Sequence, residues 1–256
     1  MDSSTIYTSA LTGQQTGFTG LLNQMTAKSA NKNLLFIAIA DATPSMEEDG
    51  KIGAVNVAMQ ELVSLLKQFS TERHLNIRFV QASFTNSVRW ELEVNDIQQC
   101  LDVPSITARP GSTQYSEVYH ALNKRLTRED LLNFPGKKVA PIIVFLTDGE
   151  PSDSRISGRY LEELKKNSWF THAIRSAVLM GDAANSPKAQ AAVAEFVSDE
   201  NSILSADSTA QIIDQICLAT LHTLMGTEDD APAPAPEQVA IEQDTEELKE
   251  EKSRLL

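Results

Sequence analysis

Cysteine is scarce in this chain. Two residues, Cys100 and Cys217, among 256 cannot build a disulfide framework, and nothing around them has the spacing of a zinc site. Both read as reduced, at least partly buried thiols in helical segments. Long apolar runs are missing as well: none approaches the roughly 18 residues of a membrane span. The opening residues, Met1–Gly17, lack the basic stretch and apolar stretch of a signal peptide. The expectation is a cytoplasmic protein without membrane contact. Basic residues are outnumbered, 22 Lys and Arg against 35 Asp and Glu, for a formal net charge of −13. That balance argues against binding to nucleic-acid phosphates. Neither a GxGxxG turn nor a phosphate-binding P-loop occurs, and His74, His120, His172 and His222 fall in unrelated segments. No general base or nucleophile cluster is legible, so a non-enzymatic protein is expected.

What is present is an α/β alternation. Hydrophobic residues make up 41% of the chain and charged residues 22%, enough for a sizeable core. The stretch Leu34–Met46, LLFIAIADATPSM, opens as a strand apolar on both faces and ends in Asp41, Thr43 and Ser45. Ile52, Val55, Ala58, Met59, Leu62, Leu65, Leu66 and Phe69 then recur at helical steps. Leu75–Phe84 reads as a second strand. After the Thr85–Asn86 turn, Val88, Trp90 and Leu92 alternate on one face of an antiparallel edge strand. A helix is expected over Glu117–Arg128, a buried strand over Ala140–Leu146, a helix over Arg159–Ser168 and a strand over Thr171–Leu179. Pro187–Val197 (helix), Ser202–Leu204 (strand) and Ser208–Met225 (helix) complete the series. The pattern predicts a doubly wound, Rossmann-like, mostly parallel sheet with helices on both faces.

Three regions follow. Residues 1–31 read as a flexible arm, 32–226 as the α/β domain, and 227–256 as an acidic Pro/Ala-rich linker with a partly helical tail. The tail reads first as a solvated segment; the alternative is a docking peptide that folds on a partner, with Leu248, Leu255 and Leu256 as anchors.

Hard oxygen donors recur at strand ends: Asp41, Thr43 and Ser45, then Thr113 in the PGST loop, then Asp148 in LTDGEPSD. Singly, each reads as a helix cap or turn residue. Jointly, they fall where open α/β sheets bind ligands, beside the point at which strand order reverses. Two carboxylates and three hydroxyls suit Mg²⁺, Mn²⁺ or Ca²⁺, and an inner shell rich in neutral hydroxyls leaves the cation under-neutralised.

Asp41-x-Thr43-x-Ser45, the Gly111–Ser112–Thr113 loop and the strand ending Thr147–Asp148–Gly149 together resemble the von Willebrand factor A domain and its metal-ion-dependent adhesion site. The likeness covers about Lys32–Met225. It departs from the family pattern at Thr43 for serine, Pro44 for glycine, and Ser112 for the second glycine. It implies a divalent cation, Mg²⁺ foremost, that accepts a Glu or Asp side chain from a partner protein. FLTDGEPSD is similar to the bacterial TerY-like branch of tellurite-resistance, stress and defence clusters. There the resemblance implies a scaffold beside a PP2C-type phosphatase and a protein kinase. Two other readings are a metal-dependent hydrolase, such as a phosphatase, and a switch in which tail residues such as Glu247 or Glu250 occupy the metal site.

Overall fold

Strand β1 (Lys32–Asp41) is apolar at almost every position, and its side chains from Leu34 to Ala40 are buried on both faces. Such a strand is stable only at the centre of a covered sheet. Around it stand β2 (Leu75–Phe84), β3 (Val88–Asp96), β4 (Lys137–Lys138), β5 (Ile142–Thr147), β6 (Ile174–Met180) and β7 (Ile203–Ala206). The order is β3-β2-β1-β5-β6-β7, with the short β4 beside the start of β1. Every pairing is parallel except β2 with β3. This is the doubly wound α/β sheet expected, with its antiparallel strand at one edge. The computed structural model describes residues 32–206, 208, 211–217 and 220. The expected N-terminal arm, the later part of the closing helix, and the linker and tail lie outside the described residues.

Alternation along β1 divides the core in two. Leu34, Phe36, Ala38, Ala40 and Ala42 face helix α1 (Lys51–Arg73) through its Ala54, Val55, Ala58, Met59 and Leu62. Leu35, Ile37 and Ile39 face the other layer, where α2 (Tyr115–Arg125) contributes Val118, Tyr119 and Leu122. That layer also holds α3 (Ser154–Leu164), α4 (Ser168–His172) and α5 (Pro187–Ala194). The α1 face of β1 narrows from Leu34 and Phe36 to Ala38 and Ala40 towards its C-terminal end, with Ala42 just beyond it. Small side chains there leave room for the helix start that follows the Asp41 loop.

Several boundaries differ from the sequence pattern. Thr171 and His172 belong to α4, not to a strand, because Asn167 caps a short helix by accepting from the backbone N–H of Trp169 and Phe170. Burying that aromatic pair outweighs the β propensity of the segment. Helix α2 stops at Arg125, since Leu126 leaves helical geometry while remaining fully buried. Arg159–Ser168 splits into the end of α3 and the start of α4. Leu92 does not share a face with Val88 and Trp90. Ala82 pairs with Trp90 and Gln81 with Leu92, so Glu91 is an extra residue that turns Leu92 to the α1 side. Among the described residues, no helix is long and apolar enough to cross a membrane.

The alanine stripe gives a direct test. Ala40→Leu forces a larger side chain into a fully packed face and should lower stability by about 1–3 kcal/mol in urea denaturation.

Candidate metal centre

The site grows from the last residue of β1. Asp41 is wholly buried. Its Oδ1 accepts from the backbone N–H of Thr43 at 2.9 Å and from the Thr43 hydroxyl at 2.7 Å. This is a local carboxylate turn that folds the loop back on the strand. Its Oδ2 accepts from the Thr147 hydroxyl, 2.8 Å away at the end of β5. Thr43 is extended, as a residue before proline should be, and Pro44 opens a 3-10 turn over Pro44–Gly50. The proline thus fits the loop without strain. Thr43 Oγ1 lies 3.2 Å from Ser45 Oγ, and Ser45 donates to Asp148 Oδ1 at 3.0 Å. Four of the five expected residues therefore form one continuous chain of oxygen contacts.

Thr113, the fifth, is placed beside them by backbone anchors. Gly111 has φ +149, and a Cβ there would stand 2.0 Å from Asn86 Oδ1, so only glycine fits. Asn86 accepts from Ser112 N–H, and Thr85 carbonyl accepts from Gln114 N–H. The Thr113 carbonyl accepts from both the backbone and the hydroxyl of Ser152, at 2.8 and 3.0 Å. Its Oγ1 faces Gly149, next to Asp148: a Cβ on that glycine would approach it to 3.3 Å.

Three further residues shape the site beyond the five expected ligands. Thr147 bridges β5 to Asp41. Asp153 sits immediately before α3 but does not cap it with its side chain; its carboxylate accepts from Tyr115 N–H and Ser116 N–H at 3.1 and 2.9 Å. It caps α2 across the loop, while Tyr115 returns a bond from its hydroxyl to the Gly149 carbonyl. The third is Lys51, whose ammonium lies 2.8 Å from Asp148 Oδ2. That oxygen is buried, and the ion pair with Lys51 is the contact that compensates its charge. The histidines stand elsewhere: His74 ends α1, His120 packs edge-on to Tyr160, and His172 bonds the Ser168 carbonyl. His222 lies outside the described residues.

Burial pushes the Asp41 carboxyl above its ordinary value of 3.8. The Thr43 hydroxyl, the Thr43 N–H and Thr147 oppose this, and the charge of Asp148 adds to it. The donors present fit a small hard cation. Oxygens about 2.1 Å from an octahedral ion stand about 3.0 Å from their neighbours. The spacings from Asp41 through Thr43 and Ser45 to Asp148 are 2.7, 3.2 and 3.0 Å. Among the described residues, no three His, Cys, Asp or Glu side chains cluster as a metal site. The donor set is one of hydroxyls with two carboxylates, unsuited to a soft metal.

The same architecture recurs in solved structures. The pilus adhesin SpaC from Lactobacillus rhamnosus GG, in its open conformation, superposes with a TM-score of 0.60 at 10% identity, over 79% of this chain and 31% of its own. The vWF domain of the type V pili tip protein Mfa5 from Porphyromonas gingivalis gives 0.56 at 10% identity, over 82% and 99%. Proximal thread matrix protein 1 from the mussel byssus gives 0.55 at 14% identity, over 75% and 48%. This chain thus spans less than half of the mussel protein and about a third of the adhesin. No protein-family profile and no curated protein sequence matches the chain. At these identities the likeness defines the fold, which is that of a von Willebrand factor A domain.

Two outcomes follow from the geometry. Asp153→Ala, which strips two N–H groups of α2 of their acceptor, should cost about 1–2 kcal/mol in chemical denaturation. For Asp41, the raised value means that its ionised form weakens the metal-free fold. The penalty is full above the raised value and is relieved as pH falls through it towards 3.8. In EDTA at pH 7, Asp41→Asn should therefore match or exceed the parent in urea stability, and the gap should close on acidification.

Proposed function

We propose that the chain is a non-enzymatic, divalent-cation-dependent protein-binding module. A Mg²⁺, or Mn²⁺ or Ca²⁺, would be held by Thr43, Ser45 and Thr113 with Asp41 and Asp148. When bound, it supplies a positive centre for a Glu or Asp side chain of a partner protein. The observation that carries this reading is the unbroken run of oxygens from Thr147 through Asp41, Thr43 and Ser45 to Asp148. Neutral hydroxyls dominate that run, which leaves a bound cation short of negative charge. The side chains themselves fix the orientation of both carboxylates, and the Thr113 loop is tied to the Asp148 loop through Ser152.

The finer reading is an adaptor in a bacterial stress-response, tellurite-resistance or defence system, working in the cytoplasm. Its support is the FLTDGEPSD string and its likeness to the TerY-like branch. On that reading the partner is a PP2C-type phosphatase or a kinase of the same cluster. The structure adds a physical role for the end of the string: Ser152 and Asp153 bind the PGST loop and cap its helix.

Mg²⁺ at about one hundred times its dissociation constant should stabilise the parent by about 2.7 kcal/mol. Thermal melts of Asp41→Asn and Asp148→Asn should show no such gain. Partner capture from the source cells should be lost in EDTA and in the same two variants; capture that ignores both would refute the proposal.

A further inference from the structure

Lys51 is in an unusual place. It is the first residue of α1, where the positive end of the helix dipole disfavours a cation, and the first turn holds no acidic residue to compensate. It is also buried, with its side chain 10% exposed and that of Asp148 not exposed at all. A lysine at a helix start ordinarily extends into water. Here the stem instead lies against Gly181, at the end of β6, where a Cβ would meet Lys51 Cδ and Nζ at 3.4 Å. The ammonium ends 2.8 Å from Asp148 Oδ2, while Asp148 Oδ1 takes the Ser45 hydroxyl.

The two oxygens of Asp148 thus have separate tasks. One faces the hydroxyl set, and the other is neutralised from behind. We propose that Lys51 is a resident counter-cation of the site, which holds Asp148 oriented in the metal-free protein and weakens the binding of a divalent ion. The inference rests on the cation-binding reading above and adds the residue that tunes it.

The charge balance gives the consequence. Asp41 and Asp148 against Lys51 leave one net negative charge, and a divalent ion turns that into one net positive charge. Without the lysine, the loaded site would be neutral. Lys51 therefore costs the site cation affinity and leaves the loaded centre with an uncompensated positive charge, which favours an anionic side chain from outside. It also supplies the pairing without which Asp148 would be a buried, uncompensated carboxylate.

The test uses Mn²⁺ as the probe, its binding read by water-proton relaxation, with thermal melts in EDTA alongside. Lys51→Met keeps the stem against Gly181 and deletes the charge. It should bind Mn²⁺ on the order of tenfold more tightly than the parent. In EDTA it should melt roughly 5–10 °C lower. That loss should shrink sharply in an Asp148→Asn background, where there is no carboxylate to hold. Should Lys51→Met not fold, Lys51→Gln, which keeps a donor for Asp148 without the charge, serves as the second variant with the same expected gain in affinity. A parent that fails to bind Mn²⁺ while the lysine variants bind it would support the proposal in its strongest form. If the parent binds and the variants bind no more tightly, the counter-cation role is refuted and the metal site stands. If neither parent nor variants bind, both the site and this role are refuted.

Discussion

The pairing of β1 with β5 is the constraint on which the rest of the molecule depends. Ala40 opposite Leu146 sets the ends of two strands level, and the Thr147 hydroxyl then reaches Asp41 across the seam. In a doubly wound sheet this is where the chain reverses its direction of progress, and the loops on either side part to leave a crevice. The register cannot slip by one residue. A slip would send Ala38 and Ala40 to the face that needs Ile37 and Ile39, and would place the isoleucines under the start of α1. Core packing and site geometry are therefore set by the same alternation in β1.

Around that seam the loops are also fixed to each other. The Ala42 carbonyl accepts from Arg109 N–H, the PGST loop rests on Thr85 and Asn86, and Ser152 and Asp153 bind the residues on either side of Gln114. The carboxylates are buried but satisfied: hydroxyls and N–H groups serve Asp41, while Ser45 and Lys51 serve Asp148. A buried polar group left without partners would destabilise the fold, so these bonds let both carboxylates stay buried.

Much of this was legible in the sequence. The apolar run before Asp41 and the one before Thr147 each had the length and two-sided character of a central parallel strand, and the oxygen donors followed at their ends. Periodicity also found α1 with little error, because twenty-three residues average out local irregularity. Short elements were less legible. Trp169 and Phe170 carry strand-like side chains, but Asn167 two residues earlier makes a helical cap, and the tertiary burial of both rings settles the matter. Asp153 was hidden for a different reason. The helix that it precedes was expected only from Arg159, and nothing local reveals that Asp153 serves another helix thirty-seven residues back. Lys51 was not singled out for a similar reason, since a pairing at a separation set by the fold leaves no periodic trace.

The extra residue at Glu91 has a consequence at the far edge of the sheet. A regular β3 would present Val88, Trp90 and Leu92 on one side and a straight ladder of unused backbone groups to its outer neighbour. Instead the strand is irregular at two points against β2, and Glu91 turns inward to meet Ser83 and Arg109. Exposed charges at Arg89 and Glu93 flank the irregularity. Among the described residues β3 is the last strand on this side, and an interrupted, charged edge is a poor template for a strand from another chain.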